Sequence, residues 1–237
     1  MLQACLNGAR TKSEHPAVPY SPDELAADAR AAFLKGATEF HVHPRNAVGE
    51  ESLRPEDVGA ALKAIRAKLP GAPVGVSTGA WIAPQGRARQ ALIARWGERP
   101  DYVSVNLSEE DAPEVMALAF ALNVGVEAGL ASPADARRFV ALPSAGRSLR
   151  ALIEISEQDE RSALEAAAAI ADVLDAAGFQ PPRLLHGVDA SVWPLFRQSL
   201  SLGIDARIGL EDGLKLPSGE IAKSNAELIR AARALSG

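Results

Sequence analysis

Hydrophobic positions along the chain follow two periodicities that alternate. Short β-branched runs are separated by longer Ala-rich stretches with helical spacing. The pattern predicts eight strands: Gln3–Asn7, Glu39–His43, Pro73–Ser77, Tyr102–Leu107, Val124–Ala128, Ala151–Ser156, Arg183–His186 and Asp205–Glu211. Helices lie between and after them, the clearest beginning at Ser21, Pro55, Glu157 and Gly219. Ser21-Pro22-Asp23-Glu24 sets a capping hydroxyl before a first-turn proline, with a carboxylate able to reach back, and Ser132-Pro133-Ala134-Asp135 repeats the arrangement. Gly36 and Gly178 are expected to end their helices in the left-handed conformation.

Eight strand–helix units in 237 residues match the size of a (β/α)8 TIM barrel. The rival is a doubly wound open sheet, which usually carries a nucleotide-binding glycine turn after its first strand. Here that turn reads Leu6-Asn7-Gly8-Ala9-Arg10, with neither GxGxxG nor GxxxxGK[ST], so the barrel is favoured. No linker or composition break divides the chain, and one barrel domain over residues 1–237 is expected.

Composition narrows the class. With 47% apolar and 23% charged residues, the chain is neither disordered nor fibrous. Its single cysteine, Cys5, cannot form an internal disulfide, which makes a reducing cytoplasm the default compartment. No run approaches the roughly 18 apolar residues of a membrane span, and the start MLQACLNGARTK lacks the apolar core of a secretory signal. A net charge of −5, dispersed basic residues and 5% aromatics argue against nucleic acid as a partner.

Strand parity then separates two faces. Phe40 and Val42 oppose Glu39, His41 and His43; Val103 and Val105 oppose Ser104 and Asn106; Val126 opposes Glu127; Ile153 and Ile155 oppose Glu154 and Ser156; Ile208 and Leu210 oppose Arg207, Gly209 and Glu211. Apolar side chains suit the helical shell. Polar ones face the interior and gather toward strand C-terminal ends, where barrel enzymes keep their chemistry.

The sharpest constellation is His41-Val42-His43, which points two imidazoles the same way from one strand. Strands two and eight both flank strand one, each roughly 5 Å away, so Glu211 can reach across a small residue on strand one as a third ligand. Two histidines and a carboxylate with open positions suit a catalytic metal, zinc foremost. The competing reading is a pair of strand histidines bonded to backbone. Arg207 and Asp212 form either a proton-handling pair or a structural ion pair at the rim. Gly209, between Arg207 and Glu211, is expected to leave the guanidinium room to move. Ser77 and the Thr78-Gly79-Ala80 turn could hold an anion with hydroxyl and N–H groups. Glu127 reads as an orienting carboxylate or an acid/base, and Glu154 equally as a satisfied core acid. His186 reads as an ordinary loop histidine more readily than a ligand contact. His15 is expected in solvent, Cys5 in packing, and Trp81, Trp96 and Trp193 in the core.

Taken together, LNGAR, HPAVPYSPDELAADA, FHVHPRNAVGEESL, PVGVSTGAW, VSVNLSE, VGVEAGL, LLHG and ARIGLEDGL resemble the zinc-dependent β-keto acid cleavage enzymes nearly end to end. HxHPR followed much later by R-x-x-x-ED is specific as a pair. The resemblance implies a tetrameric (β/α)8 barrel that converts a β-keto acid and acetyl-CoA to acetoacetate and a new acyl-CoA. It implies zinc on His41, His43 and Glu211, proton abstraction by Arg207 with Asp212, and a keto-acid head held by Ser77, Ser104 and Asn106. Glu127 matches a carboxylate of the family's site. One departure concerns specificity: Arg10 stands where the amino-hexanoate enzyme has an acidic residue, so an anionic or polar substrate tail is expected rather than a cationic one. The chain is compact, which implies short pocket loops. Two other readings stay open: a metal-dependent barrel hydrolase or aldolase that does not use CoA, and a non-catalytic metabolite-binding barrel.

Overall fold

A computed structural model describes residues 1–83 and 86–236. Eight parallel strands close into a barrel in chain order: β1 (Leu2–Cys5), β2 (Glu39–Val42), β3 (Val74–Ser77), β4 (Tyr102–Asn106), β5 (Gly125–Leu130), β6 (Arg150–Ile155), β7 (Arg183–Gly187) and β8 (Asp205–Ile208). The shell is α1 (Pro22–Phe33), α2 (Pro55–Lys68), α3 (Arg87–Ala94), α4 (Ala112–Ala121), α5 (Pro133–Val140), α6 (Glu160–Ala176), α7 (Val192–Leu202) and α8 (Asn225–Leu235). Among the described residues, no helix is long and apolar enough to cross a membrane.

Local chemistry explains the element ends. Ser21 and Glu24 form a complete capping box on α1, and Ser132 accepts from the Asp135 N–H at the start of α5. Gly36 and Gly178 adopt positive φ, as expected. Several predicted boundaries were displaced, among them the start of α6, which lies at Glu160 under an Asp159 cap rather than at Glu157, and two others have a clear local cause. The last helix starts at Asn225 under a Ser224 cap, because Lys215 and Ile221 bridge antiparallel and make the Gly219 region a tight turn. Strand β8 stops at Ile208, since the Asp212 and Gly213 amides both fold back onto the Gly209 carbonyl. Gly209 does not serve to free Arg207. A Cβ there would stand 1.8 Å from the Cys5 carbonyl oxygen, so glycine is what lets the end of β8 press against β1.

Parity reads as the alternation implied. Phe40, Val42, Val103, Val105, Val126, Ile153, Ile155 and Ile208 are buried in the core cluster under the helices. The lower interior is polar but paired. Arg150 bridges Glu39 and Glu127 and lies 5.2 Å from the Tyr102 ring centroid, while Gln3 donates to Tyr102 Oη at 2.9 Å and to Glu127 at 2.7 Å. This plug floors the barrel and leaves the upper interior for the site. Trp96 and Trp193 are buried as expected, but Trp81 is 58% exposed. His15, expected in solvent, is buried: its Nε2 donates to the Ala222 carbonyl while Nδ1 accepts from the Ala17 amide, pinning the loop before α8 to the segment after β1.

Asn225 fixes the turn after β8. Its Oδ1 accepts from the Leu210 amide at 2.7 Å, and its Nδ2 donates to the Leu6 carbonyl at 2.8 Å and to Asp28 at 2.5 Å. Burial pushes the Asp28 carboxyl up to about 6, partly offset by the Asn225 hydrogen bond. A carboxyl that binds its proton more tightly when folded withdraws stability as pH rises from its ordinary 3.8 through 6. Asp28→Asn is therefore expected to be about 1–3 kcal/mol more stable than wild type at pH 7.5 and equal to it below pH 4. Urea melts across that range check the sign.

Candidate active site

The site is built where β2, β7 and the β8 turn meet at the C-terminal end of the barrel. His41 and His43 both point inward, with their Nε2 atoms 3.2 Å apart. Asn7 holds the end of β2, accepting from the His43 amide at 2.9 Å and donating to its carbonyl at 2.8 Å. Glu211 arrives from the turn rather than from a strand, and Oε1 lies 3.6 Å from His43 Nε2 and 3.9 Å from His41 Nε2. It can lean over β1 because residue 8 is glycine with φ +54°. A Cβ there would stand 2.4 Å from Glu211 Cγ.

These three donors lie within 4.8 Å of one another. Two ligands about 2.0 Å from a tetrahedral ion stand about 3.3 Å apart, close to the His–His spacing observed. Among the described residues, the buried atoms His41 Nδ1 and Glu211 Oε2 have no hydrogen-bond partner. Burial pushes His41 down to about 3 and keeps it neutral. Burial also opposes charge on His43, but Glu211 and Glu51 outweigh it and hold that imidazole up to about 9. A site that grips a proton between two carboxylates suits positive charge, and a nitrogen-rich donor set suits a transition-type divalent cation. The residues present fit such an ion.

Glu51 was not foreseen. Its carboxylate bonds His43 Nδ1 directly and accepts from Trp81 Nε1 at 3.2 Å, and the Trp81 ring stacks on His43 with centroids 6.3 Å apart. The hydrogen bond at Nδ1 turns the Nε2 lone pair inward, as carboxylate partners of metal-ligating histidines do. Trp81 is thus a wall of the mouth rather than a core residue. Glu51→Gln is expected to weaken divalent-metal affinity by about 10–100-fold with the fold intact. Competition with a chelating dye reads this directly.

Beside the donors, Arg207 Nη2 bonds Glu211 Oε1 at 2.6 Å and Asp212 Oδ1 at 2.7 Å. Burial works against the Arg207 charge, but Asp212 and its other anionic neighbours hold the guanidinium well above its ordinary value. Burial also raises Glu211, yet Arg207 and the two histidines hold it well below the usual carboxylate range. Asp212 is 1% exposed, and its Oδ2 has no hydrogen-bond partner among the described residues.

The cavity above these groups holds about 190 Å³ and is lined in part by Ser77, Ser104, Asn106, Trp81, Glu154 and His186. Ser77, Ser104 and Asn106 therefore face the donors, as the sequence suggested. The remaining candidates are placed differently. The amides of Thr78, Gly79 and Ala80 are spent on the Ser104 carbonyl, Ser77 Oγ and Glu109, and Thr78 Oγ1 also bonds Ser104 O, so this turn has no N–H cradle for an anion. Glu127 lies beneath the site in the Arg150–Gln3 plug, fully buried and away from the cavity wall. Arg10 sits at the rim and pairs with Asp189 at 2.5 Å and Glu14 at 3.0 Å. His186, read as an ordinary loop histidine at the end of the seventh strand, is 2% exposed on β7 and faces the cavity.

Known proteins share this frame. The fold matches ObcA in its binary complex with oxaloacetate at a TM-score of 0.72 and 16% identity, covering 92% of this chain and 63% of that one, so the chain spans less than two thirds of that protein. The 3-oxoadipate:acetyl-CoA acetyltransferase of Cupriavidus necator is 29% identical over 94% of this chain and 83% of its own length. A 3-keto-5-aminohexanoate cleavage enzyme of Fusobacterium nucleatum is 36% identical over 80 residues, 33% of this chain and 29% of its own. The profile of the β-keto acid cleavage enzymes matches residues 1–141 and 159–236, spanning both the HxH strand and the Arg-Glu-Asp turn. With the match covering seven of the eight strands and both halves of the site, the chain belongs to the β-keto acid cleavage enzyme family.

Proposed function

We propose that this protein exchanges acyl groups between a β-keto acid and acetyl-CoA, releasing acetoacetate and a new acyl-CoA. The observation that carries the reading is the meeting of the His41–His43–Glu211 donors with the Arg207–Asp212 pair on one cavity wall. His41, His43 and Glu211 would hold zinc, which supplies Lewis-acid polarisation of a chelating oxo-acid when bound. The rest of the chemistry falls to side chains.

Asp212, rather than Arg207, is the base in this reading. Arg207 stays charged, whereas Asp212 keeps Oδ2 free while Oδ1 is tied to the guanidinium. Oδ2 takes the proton from the carbon between the keto and carboxylate groups, and Arg207 offsets the negative charge that develops. Ser77, Ser104 and Asn106 hold the keto-acid head. The carbanion attacks the acetyl thioester carbon and expels CoA thiolate. The thiolate then attacks the original keto carbon, the carbon–carbon bond breaks, and Asp212 returns its proton to acetoacetate. Glu127, set below the cavity, supports the floor instead of touching substrate. On the family's pattern the barrel is one domain and works as a cytoplasmic homotetramer.

Arg10 shapes the outer pocket. Since Glu14 and Asp189 already claim its guanidinium, an anionic substrate tail must compete with them. The preference for carboxylate-bearing over amino-bearing keto acids is therefore expected to be modest, about 10-fold in kcat/KM. The test is a coupled assay of free thiol and acetoacetate over a panel of β-keto acids, with and without acetyl-CoA. Turnover only with acetyl-CoA supports the proposal. Cleavage of the keto acid without it would make this a CoA-independent lyase or hydrolase, and tight binding without turnover a sensor.

A further inference from the structure

The β6–β7 wall carries a charged pair that the reaction just described does not use. Glu154 and His186 stand side by side in the β6–β7 register, and both line the cavity. His186 Nε2 lies 3.6 Å from Glu154 Oε2, and Nδ1 lies 3.3 Å from Asp212 Oδ1. Each ring nitrogen of this buried imidazole thus has a carboxylate within ion-pair range, while neither makes a hydrogen bond of good geometry among the described residues. Glu154 remains 39% exposed toward the cavity, while His186 and Asp212 are 2% and 1% exposed.

Around Asp212 the consequence is asymmetric. Arg207 approaches Oδ1 from one side through Nε at 3.3 Å and Nη2 at 2.7 Å, and His186 approaches the same oxygen from β7. Oδ2 has neither partner. With Oδ1 hydrogen-bonded to Arg207 and the His186 ring within ion-pair range of the same oxygen, the carboxylate is biased against swinging about its χ2 to exchange its oxygens.

We propose that His186, backed by Glu154, is a positioning residue that clamps Asp212 Oδ1 against Arg207 and so presents Oδ2 to the substrate carbon. The proposal rests on Asp212 being the base. Its cost when broken is that of a misplaced base, which reaches about 100-fold for a displacement near 1 Å.

Four variants test it, each assayed for kcat, KM for the keto acid, metal content and thermal melting. His186→Leu removes both donors and is expected to lower kcat about 10–100-fold, with KM within about 3-fold and metal content unchanged. His186→Asn, whose amide occupies the Nδ1 position, is expected to recover most of that loss, a rescue that simple packing would not produce. Glu154→Gln removes the backing charge and is expected to lower kcat about 3–10-fold; it carries the test alone if His186→Leu does not fold. In an Asp212→Asn background, His186→Leu is expected to add no further loss, since the clamp then holds nothing reactive. A fully active His186→Leu, equal losses in the Leu and Asn variants, or an unchanged Glu154→Gln would overturn the clamp. An active Asp212→Asn enzyme would instead overturn the assignment of the base, so the two failures are told apart.

Discussion

His41→Ala is expected to purify with less than about a tenth of the wild-type metal and to lose at least about 10³-fold in turnover, because a polarising cation contributes several kcal/mol. The loss should come from the ion and not from the fold. His41 is the neutral member of the pair, pushed down to about 3 by burial, and its Nε2 crowds that of His43 at 3.2 Å. Removing it separates two nitrogens that, without a cation, share one proton between them. The metal-free variant should therefore melt close to metal-stripped wild type, while the wild type alone gains in melting temperature when metal is added back. Metal analysis beside a thermal melt in chelator and in excess metal checks both halves. A variant that keeps both its metal and its rate would contradict the donor assignment.

Asp212→Asn is expected to retain the metal and still lose about 10²–10⁴-fold in kcat, the range removed with a general base. The substitution is nearly isosteric. An asparagine oxygen can still accept from Arg207 Nη2, which lies 2.7 Å from Oδ1, so the guanidinium keeps a partner and Glu211 keeps its ion pair. What disappears is the free lone pair at Oδ2. KM for the keto acid should move by less than about 3-fold, since binding and proton transfer use different groups. Steady-state kinetics on metal-replete protein separate the two. Retained turnover would return the role of base to another group on the cavity.

How much of this was legible in the chain depended on whether a residue's neighbours advertised its side. Strands β2 and β4 alternate Phe or Val outward with polar groups inward, so His41, His43, Ser104 and Asn106 could be set on the cavity from parity alone. Strand β7 hides its parity: Leu184 is inward beside His186, and a run of Arg-Leu-Leu-His has no polar alternation to read. Glu211 was placed at the right depth by extending β8 three residues too far. The turn from Gly209 delivers it there by a different path, one that needs Gly8 on the opposite side. Glu51 and Trp81 lie in loops whose course no periodicity records. The one available signal for Glu51 was chemical, since a ligating histidine calls for a carboxylate on its second nitrogen. Glu127 showed the correct face but not the correct level, because parity says inward and nothing about height along the barrel. The His15 contact with Ala222 was hidden for a different reason, since it joins two loop segments 207 residues apart.

The proposed chemistry depends on one cation bound by β2 and the β8 turn together. Anomalous diffraction from crystals of the purified enzyme, collected on either side of the zinc absorption edge, tests it most directly. A single zinc peak is expected about 2.0–2.2 Å from His41 Nε2, His43 Nε2 and a Glu211 carboxylate oxygen. An active enzyme with no anomalous peak there, or with its peak at another set of ligands, would contradict it.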